Sequence, residues 1–396
     1  MLINKTFRYK LKPTSTQGRT FIQWAGACRW VWNYMLAQRI EARNNGQKMP
    51  NWIEQSRQLT LIKREVDRAW LTDVCAQTLQ DILKNLEKSY KAFFSNLEKK
   101  KKGKTTRKVG TPKFKNKRGK QSFSFPSGVS VENGKVYLPK IGWVSYFDSQ
   151  PIEGKIKTAT IKWEASGWYV CLCCEIEVQE YGEIPLSESS TIGIDLGLID
   201  FYTDSNGKNV PVPKYYRKAQ KRLAKAERQK SRKQKGSNRR ERQVHKIAKL
   251  HEKVANQRKD FLHKHSTQLI RENQAVMIEN LNIVGIVKNR RLAKSVSDIG
   301  WGMFVDMLEY KARWASKTVY KVDRFFPSSK TCNGCGTINQ LSLSDRVFTC
   351  CGCGERVLRD HNAAKNIKAK GLLDLSSGGT SEVNARGAII RPASAG

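Results

Sequence analysis

Hydrophobic and polar positions alternate along residues 2–11, with Leu2, Asn4 and Thr6 on one side and Ile3, Lys5, Phe7 and Tyr9 on the other, which is the period of a β-strand. The period then lengthens. In "FIQWAGACRWVWNYMLAQRIEAR", Phe21, Trp24, Cys28, Val31 and Met35 recur at three- and four-residue intervals, so 15–44 is predicted to be helical. "TDVCAQTLQDILKNLEKSYKAFFSNLEKK" repeats that spacing, and 52–99 is predicted as further helix with Thr72 or Asp73 as an N-cap. A basic, glycine-containing stretch over 99–120 reads as a loop. Strands return over 121–179, separated by the turn signals "SG", "ENG" and "EG". The helical block is therefore expected as an insertion after the first strand of a small β unit.

After a linker near 180–190 the pattern changes again. "TIGIDLGLIDFYTDSNGK" predicts two strands joined by a tight turn. Residues 214–273 read as a basic helical hairpin, its turn marked by "KGSN" at 235–238, with Leu223, Val244, Ile247 and Leu250 as a thin apolar stripe. "QAVMIENL" reads as a short buried strand, 298–316 as helix, "TVYKVDRFF" as strand, and a short helix is predicted from Asp360. Residues 372–396 are low in complexity and predicted to be disordered.

Charge sharpens this outline. The 396 residues carry 73 Lys and Arg against 35 Asp and Glu, a formal net charge of +38. Such an excess repels itself in a compact chain and is relieved by a polyanion, for which long nucleic acid is a better candidate than a membrane surface. No run of 18 or more apolar residues predicts a membrane span. "MLINKTFRYKLKP" lacks the apolar core of a signal peptide, so a cytoplasmic protein is expected.

Ten cysteines in such a chain point to thiols or metal more than to disulfides. Cys332 and Cys335 form one C-x-x-C pair and Cys350 and Cys353 another, with glycine turning each knuckle in "CNGCG" and "CGCG". Four thiolates at this spacing suit a tetrahedral Zn²⁺ site, with disulfides or an iron–sulfur cluster as the other uses. Four protein ligands leave no open position, so such a zinc is structural. Cys351 is expected to be a bystander. Cys171, Cys173 and Cys174, with no His beside them, and Cys28 and Cys75 on helices read as core residues.

Three carboxylates stand out. Asp195 lies inside the apolar "TIGIDLG", Glu279 ends the apolar "AVMIEN", and Asp360 follows the second knuckle at a helix start. Each alone is compatible with a strand-end or helix-end acid that caps something, since an unpaired buried charge is unfavourable. Together they match an RNase H-like sheet, in which two Mg²⁺ ions offset the mutual repulsion of the acids.

With these motifs in view, "GIDLG", "MIENL" and "RDHNAAKNI", with "FPSSKTCNGCG" and "LSLSDRVFTC" between the last two, closely resemble the TnpB family of transposon-encoded, RNA-guided DNA nucleases, relatives of the type V CRISPR effectors. "NKTFRYKLKPTSTQ", "KNLEKSYKAFF", "LPKIGWV" and "NRRLAKSVSDIGWG" extend the resemblance over roughly residues 1–370. It implies a multidomain α+β chain. A β-barrel wedge domain (1–12 and 100–185) would carry an inserted helical recognition domain (13–99). A RuvC-type nuclease domain (190–327 and 355–371) would carry a zinc-ribbon insertion (328–354). It further implies that Asp195, Glu279 and Asp360 are catalytic Mg²⁺ ligands, that a guide RNA from the transposon end pairs with double-stranded DNA beside a short flanking motif, and that one chain works as a monomer on one RNA. Residence in the prokaryotic cytoplasm, on the nucleoid when DNA is bound, goes with that reading. The rivals are a compact type V CRISPR effector, a guide-directed repressor that does not cut, and a plain zinc-ribbon RNA-binding protein.

Two basic runs are candidates for phosphate contact. Residues 214–249 hold 16 Lys or Arg, among them Lys221, Arg222 and Lys225, against Glu227 and Glu241. The run from Lys99 to Arg118 is expected to be a loop ordered by RNA. Trp24, Trp30, Trp32, Trp52 and Trp70 crowd the helical block, mostly as core. Trp52, read as a loop residue, and Gln77 and Gln80, three apart on one helix face, are the candidates for touching nucleic acid or reading the flanking motif.

Overall fold

In the computed structural model, which describes residues 1–104, 109–178, 186–342 and 345–377, the alternating amino end is strand β1 (Leu2–Lys12), with Ile3, Phe7, Tyr9 and Leu11 buried. Helix α1 (Ser15–Asn44) starts at a capping box in which Thr14 and Gln17 satisfy each other's backbone N–H groups. Its buried stripe includes Phe21, Trp24, Cys28, Val31 and Met35, as the spacing predicts. Helix α2 (Trp52–Ile62), a 3₁₀ segment (Val66–Asp73) and helix α3 (Ala76–Lys101) follow. Neither Thr72 nor Asp73 caps α3. Buried Leu71 and Val74 seat the chain in the core, Val74 is extended, and Cys75 occupies the N-cap position with no side-chain capping bond. Buried Arg39 ties the three helices together by bonding Gln55 at 2.9 Å and Glu87 at 3.4 Å.

Strands β2 (Ser122–Phe125), β3 (Ser130–Glu132), β4 (Lys135–Leu138), β5 (Gly142–Tyr146), β6 (Lys155–Glu164) and β7 (Gly167–Glu177) complete the first unit, Met1–Glu177. Among the described residues the strands pair antiparallel in the order β2-β6-β7-β1-β5-β4-β3. Phe21 and Trp24 of α1 pack their rings on Phe123, Phe125 and Trp168 of this sheet, so sheet and helices share one core. In β7 Cys174 is buried while Cys171 and Cys173 are half-buried. The basic run is less loop-like than expected. Lys99–Lys101 end α3, and residues near 113–115 are tied to α1 by Trp32 Nε1 on Lys113 O and by a reciprocal pair between Asn33 and Lys115. Arg107 and Lys108 lie outside the described residues.

The second unit, Val178–Gly396, is built on strands β8 (Thr191–Asp195), β9 (Asp200–Asp204) and β10 (Asn209–Pro211), the hairpin of α4 (Tyr215–Ser231) and α5 (Asn238–Glu272), and strand β11 (Ala275–Glu279). Helices α6 (Ile283–Lys288), α7 (Ala293–Ile299) and α8 (Trp301–Trp314), strands β12 (Thr318–Val322), β13 (Val347–Thr349) and β14 (Arg356–Leu358), and helix α9 (Arg359–Ser376) follow. The sheet order is β10-β9-β8-β11-β12, with β8, β11 and β12 parallel and β9 and β10 antiparallel. Strand alternation sends Ile192, Ile194, Val276 and Ile278 into a core with Leu262 and Leu269 of α5 and Phe304 and Leu308 of α8. The opposite face carries Ala275 and Met277, packed with Ile367 of α9.

Three details differ from the sequence pattern. The strand predicted in "TVYKVDRFF" ends at Val322. In the hairpin, Leu223 and Ile247 are buried but Val244 is exposed; the inward position is filled by Gln243, whose amide donates to Ala226 O at 3.0 Å and Gln229 Oε1 at 3.1 Å. At the carboxyl end, α9 continues through Ser376, so 372–376 are helical; the rest of the predicted disordered stretch, 378–396, lies outside the described residues. Among the described residues, no helix is long and apolar enough to cross a membrane.

Candidate active site and metal centre

The register of the sheet brings the acids together. β8 and β11 run parallel with Met277 opposite Gly193 and Ile278 opposite Ile194, so Asp195 and Glu279 come next, side by side at the carboxyl ends of adjacent strands. Both share the strand phase of Gly193 and Met277, the phase that faces α9. Gly193 lets that helix come close: a Cβ there would lie 2.2 Å from Ala364 O and 2.7 Å from Lys368 N. Gly371 does the same from the helix side, against Met277. Ala364 is one helical turn after Asp360, so the contact that seats α9 on β8 also delivers Asp360 to the strand ends.

Burial first, and then the carboxylates of Glu279 and Asp360, push Asp195 well above the usual carboxylate range; the Arg359 guanidinium pulls the other way. Three carboxylates are the hard oxygen donors that a divalent cation of the Mg²⁺ type takes, and against one guanidinium they leave negative charge for it to balance; among the described residues their ligand atoms do not all lie within 4.8 Å of one another. Glu279 Oε1 accepts a 2.6 Å bond from Ser328 Oγ. His361 is turned aside: its Nε2 lies 3.2 Å from Ser205 O, an acceptor, so that nitrogen carries hydrogen. Sequence reasoning missed Ser328, Asn362 and Asn366. The last two are buried amides, one turn apart on the face of α9 that also buries Ala363 and Ile367, and that spacing was the available signal.

The four knuckle sulfurs converge. Among the described residues Cys332, Cys335, Cys350 and Cys353 form the group of metal-binding side chains whose ligand atoms all lie within 4.8 Å of one another. The two knuckles repeat one another: Gly336 N bonds Cys332 O at 2.9 Å, Gly354 N bonds Cys350 O at 3.1 Å, and both glycines have positive φ, 77° and 75°, where a side chain would be strained. The N–H groups of Cys353 and Gly352 lie 3.5 Å and 3.3 Å from Cys350 Sγ and hold that thiol down at about 6, while burial pushes Cys332 up to about 12. A Cys₄ group of this kind fits a structural zinc ribbon. Cys351 is exposed and outside the group.

The nucleic-acid candidates divide. Lys221, Arg222 and Lys225 are exposed on α4, away from buried Leu223 and Ala226. Gln77 and Gln80 are exposed in the first turns of α3 and, with Asp81, Lys84, Pro126 and Ser127, line a cavity of about 230 Å³. Trp52 is not in a loop. It is the first residue of α2, its N–H bonds Glu87 at 2.8 Å, its ring is half-buried against the core, and Lys84 Nζ sits 4.9 Å from the ring centroid. Of the other tryptophans, Trp24 and Trp32 are buried, Trp30 is half-buried and Trp70 is exposed.

Comparison with known proteins bears on the family. Residues 171–290 match the OrfB/IS605 family model described as "Probable transposase", and 301–367 match the "Cas12f1-like, TNB domain". Residues 1–48 match a model described as "Helix-turn-helix domain", although here they form strand β1 and the single helix α1. A protein of Streptomyces pristinaespiralis with the description "Putative RNA-guided DNA endonuclease" is 35% identical over 93% of this chain and 90% of its own length. Escherichia coli InsQ, described in the same words, is 32% identical over 94% of each chain. A solved Cas12f1–sgRNA–target DNA complex shares the fold with a TM-score of 0.55 at 16% identity, over 90% of this chain and 83% of that one. Identity at this level over nearly the whole length means that the chain belongs to the TnpB family of transposon-encoded RNA-guided DNA endonucleases.

Proposed function

We propose that this chain is an RNA-guided DNA endonuclease that hydrolyses DNA phosphodiesters at the site formed by Asp195, Glu279 and Asp360. The observation that carries the reading is the meeting of three acids from β8, β11 and α9, with Asp195 pushed up by burial first and then by the other two. The order β10-β9-β8-β11-β12, with acids at the ends of parallel neighbours, supports a RuvC-type, RNase H-like core over 190–327 and 355–371. The zinc ribbon is then the insertion at 328–354, and the first unit holds the wedge strands and the recognition helices.

In this reading Asp195, Glu279 and Asp360 hold two Mg²⁺ ions, which when bound would activate water and stabilise the leaving oxygen. The chain's own part is to aim the carboxylates. β8 and β11 fix two of them by register, α9 fixes the third, and Arg359 moderates the charge of Asp195. The basic face of α4 and the +38 net charge supply non-specific attraction for the phosphates of a guide RNA from the transposon end and of target DNA. Guide pairing and a short flanking motif then set the sequence, with the Gln77–Gln80 cavity as the candidate reader of that motif. The repressor reading loses ground because all three acids are present and brought together.

The test is to sequence the RNA that co-purifies with the chain and to challenge a plasmid library with and without it. Cleavage confined to guide-matched targets beside one motif supports the proposal. Equal cutting without RNA rejects guidance and leaves a metal-dependent nuclease.

A further inference from the structure

Glu279 is the last residue of its strand, so regular structure stops just where its side chain must be aimed. Its neighbour on that side is Ser328, 49 positions away in sequence, in the irregular segment between β12 and the first cysteine knuckle. Ser328 is 5% exposed, and its hydroxyl donates to Glu279 Oε1 at 2.6 Å. Its own position is set by two bonds: its N–H donates to Phe326 O at 2.8 Å, and its carbonyl accepts Asn366 Nδ2 at 2.7 Å.

Asn366 is buried on α9, the helix that begins beside Asp360. The same amide donates to Thr331 O at 2.6 Å and accepts Asn333 Nδ2 at 3.2 Å. One turn earlier Asn362 repeats the grip, donating to Thr331 O at 2.7 Å and accepting Asn333 N at 3.0 Å. Two buried amides of α9 thus clamp residues 328–333, and the first residue of that clamp holds Glu279.

A carboxylate offers two oxygens and about four lone-pair directions. A hydroxyl on Oε1 fixes the plane of the carboxylate and leaves Oε2 free to face a cation. A short, buried bond to a charged acceptor is also stronger than one between neutral groups. We propose that Ser328 is the positioning residue for Glu279, setting its carboxylate for the divalent-cation site, with Asn366 placing Ser328 from the helix that carries Asp360. The inference rests on the nuclease reading of that site.

The test uses the full chain with its guide RNA and compares wild type with Ser328→Ala, Ser328→Thr and Asp195→Ala. One readout is binding of Mn²⁺ to the complex, followed by the loss of the free-ion electron-spin-resonance signal. The second is the Mg²⁺ concentration that gives half-maximal guided cleavage. Removing a hydrogen-bond partner of a metal ligand typically weakens metal binding roughly 10- to 100-fold. Ser328→Ala is therefore expected to shift both midpoints upward by that factor, with cleavage returning at high Mg²⁺ and zinc content unchanged. Ser328→Thr, which keeps the hydroxyl, is expected to restore the wild-type midpoints. If Ser328→Ala loses zinc or target binding, Ser328→Cys replaces it, as a near-isosteric side chain with a weaker donor, and the same upward shift is required. Unchanged midpoints in a folded Ser328→Ala or Ser328→Cys protein overturn the proposal. Robust cleavage by Asp195→Ala would instead overturn the nuclease assignment, so the two failures are distinguishable.

Discussion

Replacing Gly193 by Ala tests the packing that assembles the site without touching an acid. The new Cβ would lie 2.2 Å from Ala364 O, a backbone atom that cannot rotate away, and 2.7 Å from Lys368 N and Cβ. Contacts of this kind do not occur below 3.0 Å, so moving from 2.2 Å to 3.0 Å forces α9 back from β8 by about 0.8 Å. Overpacking of this sort destabilises by about 1–3 kcal/mol, which lowers Tm by roughly 2–12 °C in a unit of this size. The functional effect is larger, because a misplacement near 1 Å in a catalytic constellation can lower the rate about 100-fold. Gly371→Ala is the comparison: its Cβ meets side-chain atoms of buried Met277, Sδ at 2.6 Å and Cγ at 2.7 Å, and no backbone atom, so a smaller loss is expected. The assay is single-turnover cleavage of a guide-matched duplex at saturating Mg²⁺, alongside target binding and thermal unfolding. Wild-type cleavage with an unchanged Tm for Gly193→Ala would refute the argument that α9 delivers Asp360 through this contact.

Cys335→Ser or Cys353→Ser is expected to lower thermal stability and zinc content, because a closed site contributes folding energy; elemental analysis of the wild type should find one zinc per chain, and none in a folded, active preparation would end that assignment. Replacing Lys221, Arg222 and Lys225 by Ala is expected to weaken binding to all targets alike and to flatten the salt dependence by roughly one to three units of slope, with motif preference unchanged; Gln80→Ala should do the reverse. The raised Asp195 carboxyl must lose its proton to receive a cation, so at limiting Mg²⁺ cleavage should rise with pH through that raised pKa, and more Mg²⁺ should move the acid limb to lower pH. Without a cation the folded state binds that proton more tightly than the unfolded chain. Stability should therefore fall as pH rises from the ordinary carboxylate range through the raised pKa, and Asp195→Asn should remove the loss.

What the sequence made legible follows from period and spacing. The stripe Phe21–Trp24–Cys28–Val31–Met35 is the buried face of α1, and the "KGSN" break falls at the turn between α4 and α5. Cysteine spacing brought the four sulfurs into one group because a knuckle is a local turn. Asp195 and Glu279 were readable as misplaced charges at the ends of apolar strands, and register sets them side by side. Other features depended on contacts distant in sequence. Trp52 sits at a helix start because Asn51 and Glu54 form a capping box and Glu87 receives its N–H, and the "MPN" before it gives no sign of that partner. Gln243 replaces Val244 inside the hairpin because its amide finds Ala226 O and Gln229, which apolar counting does not detect. Ser328 looks like a loop serine until Asn366 and Glu279 are seen on either side of it.

The most direct test of the central claim is guided cleavage of a matched plasmid by Asp195→Ala, Glu279→Ala and Asp360→Ala, each measured beside guide-RNA and target binding. If the three carboxylates act as one metal-binding unit, each single variant should bind RNA and target like wild type and cut neither strand, and the double variants should be no worse than the singles. Robust cleavage by any one of the three would contradict the account.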